Sequence, residues 1–455
     1  MTAGAAARES AIEQPELRRV IGPRLLLFFV IGDILGTGIY ALTGKVAGEV
    51  GGAAWMSFAL SFVVALLTAT SYVELVTKYP KAAGAALYTH RAFAIPFLTF
   101  LVAFTVMASG LTSASAASKA FAGDYLAQFI QLPTLVVAIG FILVLAAVNF
   151  RGVGESVKAN VVLTLIELTG LLIVIGVGIL AFVQGIGEPG RALQFRDGVS
   201  PLGGVVSGAA LAFFAMVGFE DSVNMAEETT DPPRVFPPAL FIGITVTGVI
   251  YILVAIIATM LVPIPTLAES TGPLLEVVKA GSPNFPLALF AVIALFAVTN
   301  SALINMLMAS RLVYGMSRER IIPAALGTVH LSRRTPWIAI IFTTLLAIGL
   351  IAFADLTALG GTTALLLLCV FTVVNAAVLV LRRKPVEHRH YRAPTLLPIL
   401  GIVSCAYLAS PLSGRDITQY GVAGILLAIG IMLWFVNRLL VGREDLDPAK
   451  LAKGE

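Results

Sequence analysis

Residues 32–40 read Gly-Asp-Ile-Leu-Gly-Thr-Gly-Ile-Tyr and lie inside an apolar run that begins at Leu25. Glycines, a threonine and an acid therefore occupy the depth at which a membrane-spanning helix normally carries leucines. Each glycine disfavours a continuous helix by about 1 kcal/mol relative to alanine. Within the hydrocarbon layer of a membrane, unpaired backbone N–H and C=O groups occur only where they are buried in protein or line a water-filled cavity. The stretch therefore predicts a broken first span whose freed backbone groups bind a substrate.

A second stretch of the same kind decides between this interpretation and simple helix packing. Gly32 and Gly36 also form a GxxxG pair, and that spacing commonly lets two helices pack closely. Residues 212–221, however, read Ala-Phe-Phe-Ala-Met-Val-Gly-Phe-Glu-Asp and again place small residues and acids in a predicted span, the sixth. Two interrupted spans in corresponding places of oppositely directed halves indicate an inverted-repeat transporter, with its substrate site between the discontinuous helices.

The chemistry of such breaks indicates the kind of solute. Helix amino termini present N–H groups and partial positive charge, which suit a carboxylate. Unwound carbonyls and helix carboxyl termini suit a cation or an ammonium group. A site that offers both ends is suited to a zwitterion.

The composition indicates a polytopic membrane protein. Of 455 residues, 58% are hydrophobic and only 12% are charged, which excludes an ordinary soluble enzyme. The two cysteines, Cys369 and Cys405, both lie in apolar runs. They exclude a disulfide framework and a cysteine metal site, and no cofactor is expected.

Apolar runs of membrane length predict twelve spans. They lie at 24–43, 53–77, 86–118, 133–150, 157–183, 203–226, 236–262, 285–314, 337–355, 361–382, 396–412 and 418–440. With the amino terminus inside, 24 of the 30 Lys and Arg residues fall on the inner side. This asymmetry predicts a multi-pass protein of the cytoplasmic membrane with cytoplasmic tails at 1–23 and 441–455.

Three connecting loops carry further expectations. The predicted outer loops Gln184–Ser200 and Pro263–Pro283 are rich in Gly, Pro and charge, and we expect a short helix in each. The inner loop Arg382–Arg392 is strongly basic, which is typical of a contact with anionic lipid. We expect no nucleic-acid partner, and the sequence does not indicate an oligomeric state.

Four stretches of the chain resemble the amino acid–polyamine–organocation permeases, and among them bacterial amino acid permeases near the cationic amino acid transporter branch. They are Gly32–Tyr40, Tyr72–Phe93, Phe213–Glu228 and Arg311–Glu319. The resemblance implies an all-α, leucine-transporter-like fold with about twelve membrane helices. It also implies two inverted five-helix repeats, at 24–183 and 203–382, followed by two peripheral helices at 396–440, with spans 1 and 6 discontinuous.

The resemblance also implies where the substrate binds. The residues expected to face its carboxylate are Ile34, Gly36, Thr37 and Gly38. Those expected to face its amino group and side chain are Phe214, Ala215, Val217 and Gly218. Glycines at these positions permit close backbone approach. Phe214 is expected either as a gate or pocket wall or as a packing aromatic.

Two acids at membrane depth are candidates for coupling or charge selection. Many relatives carry a lysine in the fifth span whose ammonium replaces a sodium ion, and the matching residue here is Glu167. A charged acid in a span costs about 3 kcal/mol or more and is a functional candidate by default. We expect Glu167 to take and release a coupling proton, with a structural hydrogen bond or a sodium site as alternatives. Asp33 either attracts a cationic group or caps N–H groups at the break.

Further charged residues are candidates for a gate. Glu220 and Asp221 in the sixth span are expected to serve a cation path or an inner gate. Glu74 and Arg311 lie nearer the inner face, where a salt bridge between them would suit alternating access. For Arg311 the alternative is that its side chain extends to the membrane interface.

The sequence thus predicts a secondary transporter of cationic or small neutral amino acids that is coupled to protons, with Na+ as the alternative coupling ion. The alternatives within this class are an antiporter and a polyamine or ethanolamine permease. A channel would need a symmetric filter or rings of like charge, and a membrane enzyme would need a converging nucleophile, base or metal cluster. A sensor that binds amino acids without moving them remains as an alternative from another class.

Overall fold

The computed structural model of the protein describes residues 19–81, 84–152 and 157–441. Most of the predicted tail at 1–23 and nearly all of the predicted tail at 441–455 lie outside these residues, so their cytoplasmic placement stays a prediction. The division into repeats at 24–183 and 203–382, with peripheral helices at 396–440, also stays a prediction.

Ten helical segments in the described part of the chain are long and apolar enough to cross a membrane. Two shorter apolar helices, Trp337–Phe353 and Leu396–Ala409, accompany them, which is consistent with about twelve spans. The prediction of an all-helical protein with about twelve spans is confirmed. The helices are α1 (Pro23–Ile34), α2 (Thr37–Val50), α3 (Ala54–Lys78), α4 (Gly84–Phe93), α5 (Pro96–Ala120), α6 (Thr134–Arg151), α7 (Val157–Val183), α8 (Pro201–Ala212), α9 (Pro232–Leu261), α10 (Ile264–Glu269), α11 (Pro273–Gly281), α12 (Leu287–Arg318), α13 (Trp337–Phe353), α14 (Leu356–Leu381), α15 (Leu396–Ala409) and α16 (Ile417–Val441).

Burial separates the central spans from the peripheral ones. In the most apolar part of each span, 72% of the residues are buried in Pro23–Val50 and in Pro201–Met225, the first and sixth spans. The corresponding share is 28% in α6 and 22% in α16. Since apolar side chains can face lipid at little cost, burial in a membrane protein marks contact between helices. The two interrupted spans therefore form the centre of the bundle.

The prediction of one continuous third span over 86–118 is wrong. The structure has two helices there, α4 and α5, with a turn at Ala94 and Ile95 between them. Ala94 has a φ of +53°, and Ile95 is extended. Pro96 explains the break, because proline lacks an N–H and keeps the residue before it out of the helical region. As a result, α4 is a separate short helix that can line the inside of the bundle.

The ends of the bundle differ in how they are covered. We call the side on which α1 begins the α1 face and the side on which α2 ends the α2 face. Loop 184–200 holds the 3₁₀ helix Pro189–Leu193, and loop 263–283 holds both α10 and α11. Trp55 Nε1 donates to the Ala192 carbonyl at 3.0 Å, and the backbone of Gly44 lies against the Leu267 carbonyl. The two loops therefore pack over the α2 face.

Candidate functional site

The first span is interrupted at Leu35 and Gly36. Helix α1 ends at Ile34, both following residues are extended, and α2 begins at Thr37. The hydroxyl of Tyr251 in α9 donates a 2.6 Å hydrogen bond to the Ile34 carbonyl. A carbonyl freed by the break thus receives a partner from another span, as a buried backbone acceptor requires. The predicted break in the first span is confirmed.

The sixth span is interrupted at Val217 and Gly218. Helix α8 passes into a 3₁₀ turn at Phe213–Met216, Val217 is extended, and Gly218 has a φ of +124°. Only glycine adopts this backbone region readily, which explains the residue type. The Glu220 carboxylate accepts a 2.8 Å hydrogen bond from the Gly218 N–H. Glu220 therefore stabilises the break itself.

The two breaks lie directly against each other. A Cβ added at Gly38 would lie 2.4 Å from the Cα of Ala215, and one added at Gly218 would lie 2.4 Å from the carbonyl oxygen of Asp33. Both distances are too short for any side chain. The sequence suggested that Gly38 and Gly218 allow close approach of a substrate. In the structure, the absence of a side chain at each of these glycines instead lets the opposite broken span approach closely.

A cavity of about 90 Å³, with both apolar and polar walls, extends from the second break toward the α1 face. Of the predicted site residues, Val217, Glu220 and Asp221 line it. Its other polar lining residues come from α3, α5, α12, α14 and the second half of the sixth span; they are Tyr72, Ser109, Asn305, Thr363 and Asn224. The cavity thus joins a break in the sixth span to polar groups on several neighbouring helices.

The remaining predicted substrate-facing residues do not line this cavity. They are Ile34, Gly36, Thr37, Gly38, Phe214, Ala215 and Gly218, and all are buried at the junction of the breaks. The Thr37 hydroxyl oxygen is buried, and no hydrogen-bond partner for it occurs among the described residues. Phe214 packs near Gly360 of α14, which fits the packing role considered for it. The Thr37 hydroxyl is therefore a buried polar group at the first break that could bind a solute.

Glu167 lies on α7, is 1% exposed, and sits beside the first broken span. The amide of Asn300 in α12 donates to Glu167 Oε1 at 3.0 Å, and the Tyr40 hydroxyl of α2 donates to the Glu167 backbone carbonyl at 2.7 Å. The second carboxyl oxygen, Oε2, is buried without a partner in the described part of the chain. The sequence analysis did not identify Asn300 as a candidate site residue. Its only distinguishing feature in the sequence is a polar amide side chain inside an apolar span.

Glu74 forms its ion pair with Arg382 and not with Arg311, the partner suggested by the sequence. Two guanidinium nitrogens of Arg382 reach the two carboxyl oxygens at 2.7 and 2.6 Å. The Ala393 N–H also donates to this carboxylate, at 2.9 Å. The hydrogen bonds with Glu74 raise the pKa of the Arg382 guanidinium above its usual value. This pair joins the ends of α3 and α14 at the α1 face, whereas Arg311 is exposed on α12.

Asp33 is half-buried at the end of α1, where its backbone carbonyl contacts Gly218. Its proximity to the second break is compatible with both roles considered for it. Among the residues that the structure describes, no group of three or more His, Cys, Asp or Glu side chains could hold a metal ion.

Comparison with known proteins adds a family match over most of the chain. A family model described as "Amino acid permease" matches residues 21–436. The chain is 26% identical over 447 residues to the "Branched-chain amino acid permease BcaP" of Bacillus subtilis (strain 168), covering 93% of this chain and 94% of that protein.

Two further relatives carry other substrate names. The "Methylthioribose transporter" of Bacillus subtilis (strain 168) is 29% identical over 448 residues, which cover 92% of this chain and 93% of that protein. "Cationic amino acid transporter 4" of Mus musculus is 27% identical over 396 residues, or 82% of this chain and 61% of that protein. The names of the relatives therefore agree on transport and differ on the solute.

Proposed function

Because the chain belongs to the amino acid permease family, we propose that it is a secondary active carrier that moves amino acids across the cytoplasmic membrane by alternating access. The resemblance to amino acid–polyamine–organocation permeases is confirmed by the family match. Amino acid transport by a multi-pass membrane protein, and not an enzymatic activity, follows from this membership. The substrate, the coupling and the orientation belong to the proposal.

One observation carries the mechanism: the two broken spans contact each other through Gly38 and Gly218. This contact brings the amino terminus of α2 and the unwound carbonyls of the sixth span to one buried place. The first helical N–H groups of α2 lack partners within their helix, and the Thr37 hydroxyl beside them is also unpartnered in the described part of the chain. We propose that these groups bind the substrate carboxylate and that the unwound residues at Val217 and Gly218 bind its amino group.

The two faces of the bundle are covered differently, and this difference supports access of the substrate from the α1 face. The cavity lies on the α1 side of the second break, and loops 184–200 and 263–283 pack over the opposite face. Alternating access around a midplane site requires one side to be closed while the other is open. Lys and Arg residues are concentrated on the α1 face, which is typical of the cytoplasmic side. We therefore propose that the structure represents an inward-facing state.

Glu167 is the proposed coupling group. It is buried, and Oε2 has no partner in the described part of the chain to hold a permanent charge. A buried acid with one unsatisfied oxygen is suited to carry a proton, because the neutral form needs fewer hydrogen bonds than the carboxylate. Asn300 of α12 holds one carboxyl oxygen by a hydrogen bond, and Tyr40 of the first broken span holds the Glu167 backbone carbonyl. Release of the proton at the α1 face would complete one transport step.

The acidic side chains that line the cavity favour the binding of a positively charged or small neutral amino acid. Glu220 and Asp221 both line the cavity, and they would attract an amino or guanidinium group and repel a second carboxylate. The relatives' names include both cationic and branched-chain amino acids. We therefore propose cationic or small neutral amino acids, with exchange and polyamine or ethanolamine uptake as competing outcomes of the test.

The decisive experiment is uptake of a panel of radiolabelled amino acids into proteoliposomes, with and without an imposed pH gradient. A proton-coupled carrier accumulates its substrate only with the gradient. An antiporter gives counterflow into preloaded vesicles but no accumulation, and a sodium-coupled carrier responds to Na+ instead. A sensor binds the amino acid and gives neither signal, which would contradict the proposal.

A further inference from the structure

An apolar groove of about 440 Å³ lies between α6 and α13, on the outer surface of the bundle. Ala147 and Phe150 line one side, and Trp337, Ile341 and Leu345 line the other. Leu345 is 63% exposed and Ile341 is 47% exposed, so the groove is open toward the membrane. Its volume falls within the range of about 300–1,000 Å³ that is usual for small-molecule sites.

The groove ends at a cluster of exposed arginines on the α1 face. The Thr335 hydroxyl donates to the Phe150 carbonyl at 3.0 Å, and a Cβ on Gly152 would lie 4.0 Å from the Arg333 carbonyl. The end of α6 and the loop before α13 therefore meet at this point. Arg151, Arg333 and Arg334 are exposed there, and no other described residue forms an ion pair with any of them.

We propose that this groove binds an anionic phospholipid from the leaflet at the α1 face. One acyl chain would lie along the apolar groove, and the phosphate headgroup would contact the three arginines. Basic residues between membrane helices recognise anionic headgroups in this way. Trp337, at the start of α13 and 37% exposed, has the amphipathic ring that is typical of the headgroup level.

Charge favours a lipid over a second copy of the chain in this groove. Most homodimers are related by a twofold axis, which places the same patch of both subunits at the interface. Two copies joined along this groove would bring the arginine clusters near each other, and like charges oppose such an interface. An anionic headgroup instead matches the arginine cluster, and an acyl chain matches the apolar walls.

Trp337 can serve as the reporter for the test. The chain has three tryptophans, so the variant Trp55→Phe/Trp434→Phe leaves the one in the groove. We would reconstitute it in phosphatidylcholine that contains a small fraction of phosphatidylglycerol brominated in the upper acyl chain. A second series contains brominated phosphatidylcholine of the same acyl composition at the same fraction. We expect quenching to favour phosphatidylglycerol by about fivefold or more in apparent binding, since one basic residue near an anionic lipid gives roughly that factor.

Two variants and a matched control separate the parts of the proposal. We expect Arg151→Gln/Arg333→Gln/Arg334→Gln to remove the preference for phosphatidylglycerol. The control Arg383→Gln/Arg389→Gln/Arg392→Gln, which removes as many exposed charges from the basic loop 382–392, should keep it. Filling the groove with Ala147→Phe should also abolish the preference.

Several outcomes would overturn the proposal. Equal quenching by the two brominated lipids in the reporter variant would show a groove without headgroup selectivity. A preference that survives the loss of the three groove arginines, or the filled groove, would place the lipid elsewhere. Protection of Trp337 from both lipids would show that another protein surface, such as a second copy, covers the groove.

Discussion

Asn300 donates a 3.0 Å hydrogen bond to Glu167, and the next residue, Ser301, lies against the first helix break. A Cβ on Gly36 would be only 2.7 Å from the Ser301 hydroxyl oxygen. Two consecutive residues of α12 therefore connect the proposed coupling acid to the proposed substrate site. We expect a change in the protonation of Glu167 to alter its hydrogen bond with Asn300 and, through α12, to affect the contact at Gly36.

The first prediction concerns Glu167→Gln. The amide keeps the size of the side chain and can still bond to Asn300, but it cannot exchange a proton. We expect accumulation driven by an imposed pH gradient to fall to the level measured without a gradient, while counterflow persists. Uptake across a pH series in proteoliposomes measures the effect.

Asp197→Asn is the control for Glu167→Gln, because Asp197 is an exposed acid in loop 184–200. It should behave as the unmodified protein at every pH. If Glu167→Gln retains the pH dependence of the unmodified protein, Glu167 is not the coupling group.

The second prediction concerns the Thr37 hydroxyl at the first break. Thr37→Val keeps the shape of the side chain but removes the group proposed to bind the substrate carboxylate. We expect the apparent KM for uptake to rise about fivefold, the effect of losing a hydrogen bond of about 1 kcal/mol. Thr43→Val is the matched control on the same helix, because the Thr43 hydroxyl already donates to the Ile39 carbonyl. An unchanged KM in Thr37→Val would remove this hydroxyl from the site.

The third prediction concerns the contact between the broken spans. Gly218→Ala would force a methyl group against the Asp33 carbonyl and would place alanine at a positive φ. We expect transport to be lost and the thermal midpoint to fall, since overpacking alone costs about 1–3 kcal/mol. Gly38→Ala should behave similarly because of Ala215.

Gly349→Ala provides the comparison for these two variants, because nothing lies within 4 Å of the added methyl group. Thermal unfolding in detergent and uptake in proteoliposomes would be measured together. Normal transport by Gly218→Ala would show that the two breaks do not need this close contact.

The fourth prediction concerns the ion pair at the α1 face. Arg382→Gln would leave the Glu74 carboxylate, whose side chain is 2% exposed, without its charged partner. Removing one member of a buried pair costs about 3–5 kcal/mol, so the thermal midpoint should fall clearly. The neighbouring Arg383→Gln, at an exposed position, should leave it unchanged. Equal midpoints for both variants would mean that the pair contributes little to stability.

The helix breaks were predictable from sequence because glycine and acids at membrane depth conflict with a continuous helix. Gly36 and Gly218 carry this signal in local composition, and both breaks occur where it indicates. The number of spans was predictable for a similar reason, since each apolar run must cross the membrane. The turn before Pro96 was also readable in principle, because proline restricts the residue that precedes it.

The partners of the polar residues were not predictable in the same way. Asn300 and Arg382 lie far along the chain from Glu167 and Glu74, and nothing local indicates which helix each side chain faces. The role of Gly38 was also hidden, because a glycine signals close approach but not what approaches. These assignments depend on how the helices pack, which a single sequence does not encode in any short pattern.

The seating of Gly38 on Ala215 and of Gly218 on the Asp33 carbonyl restricts how the protein can move. Sliding of one broken span along the other would have to separate these two close backbone contacts. We therefore expect the two broken spans to move together relative to the surrounding helices. A solute held between them would then travel with its binding groups, and access would change through the helices around them.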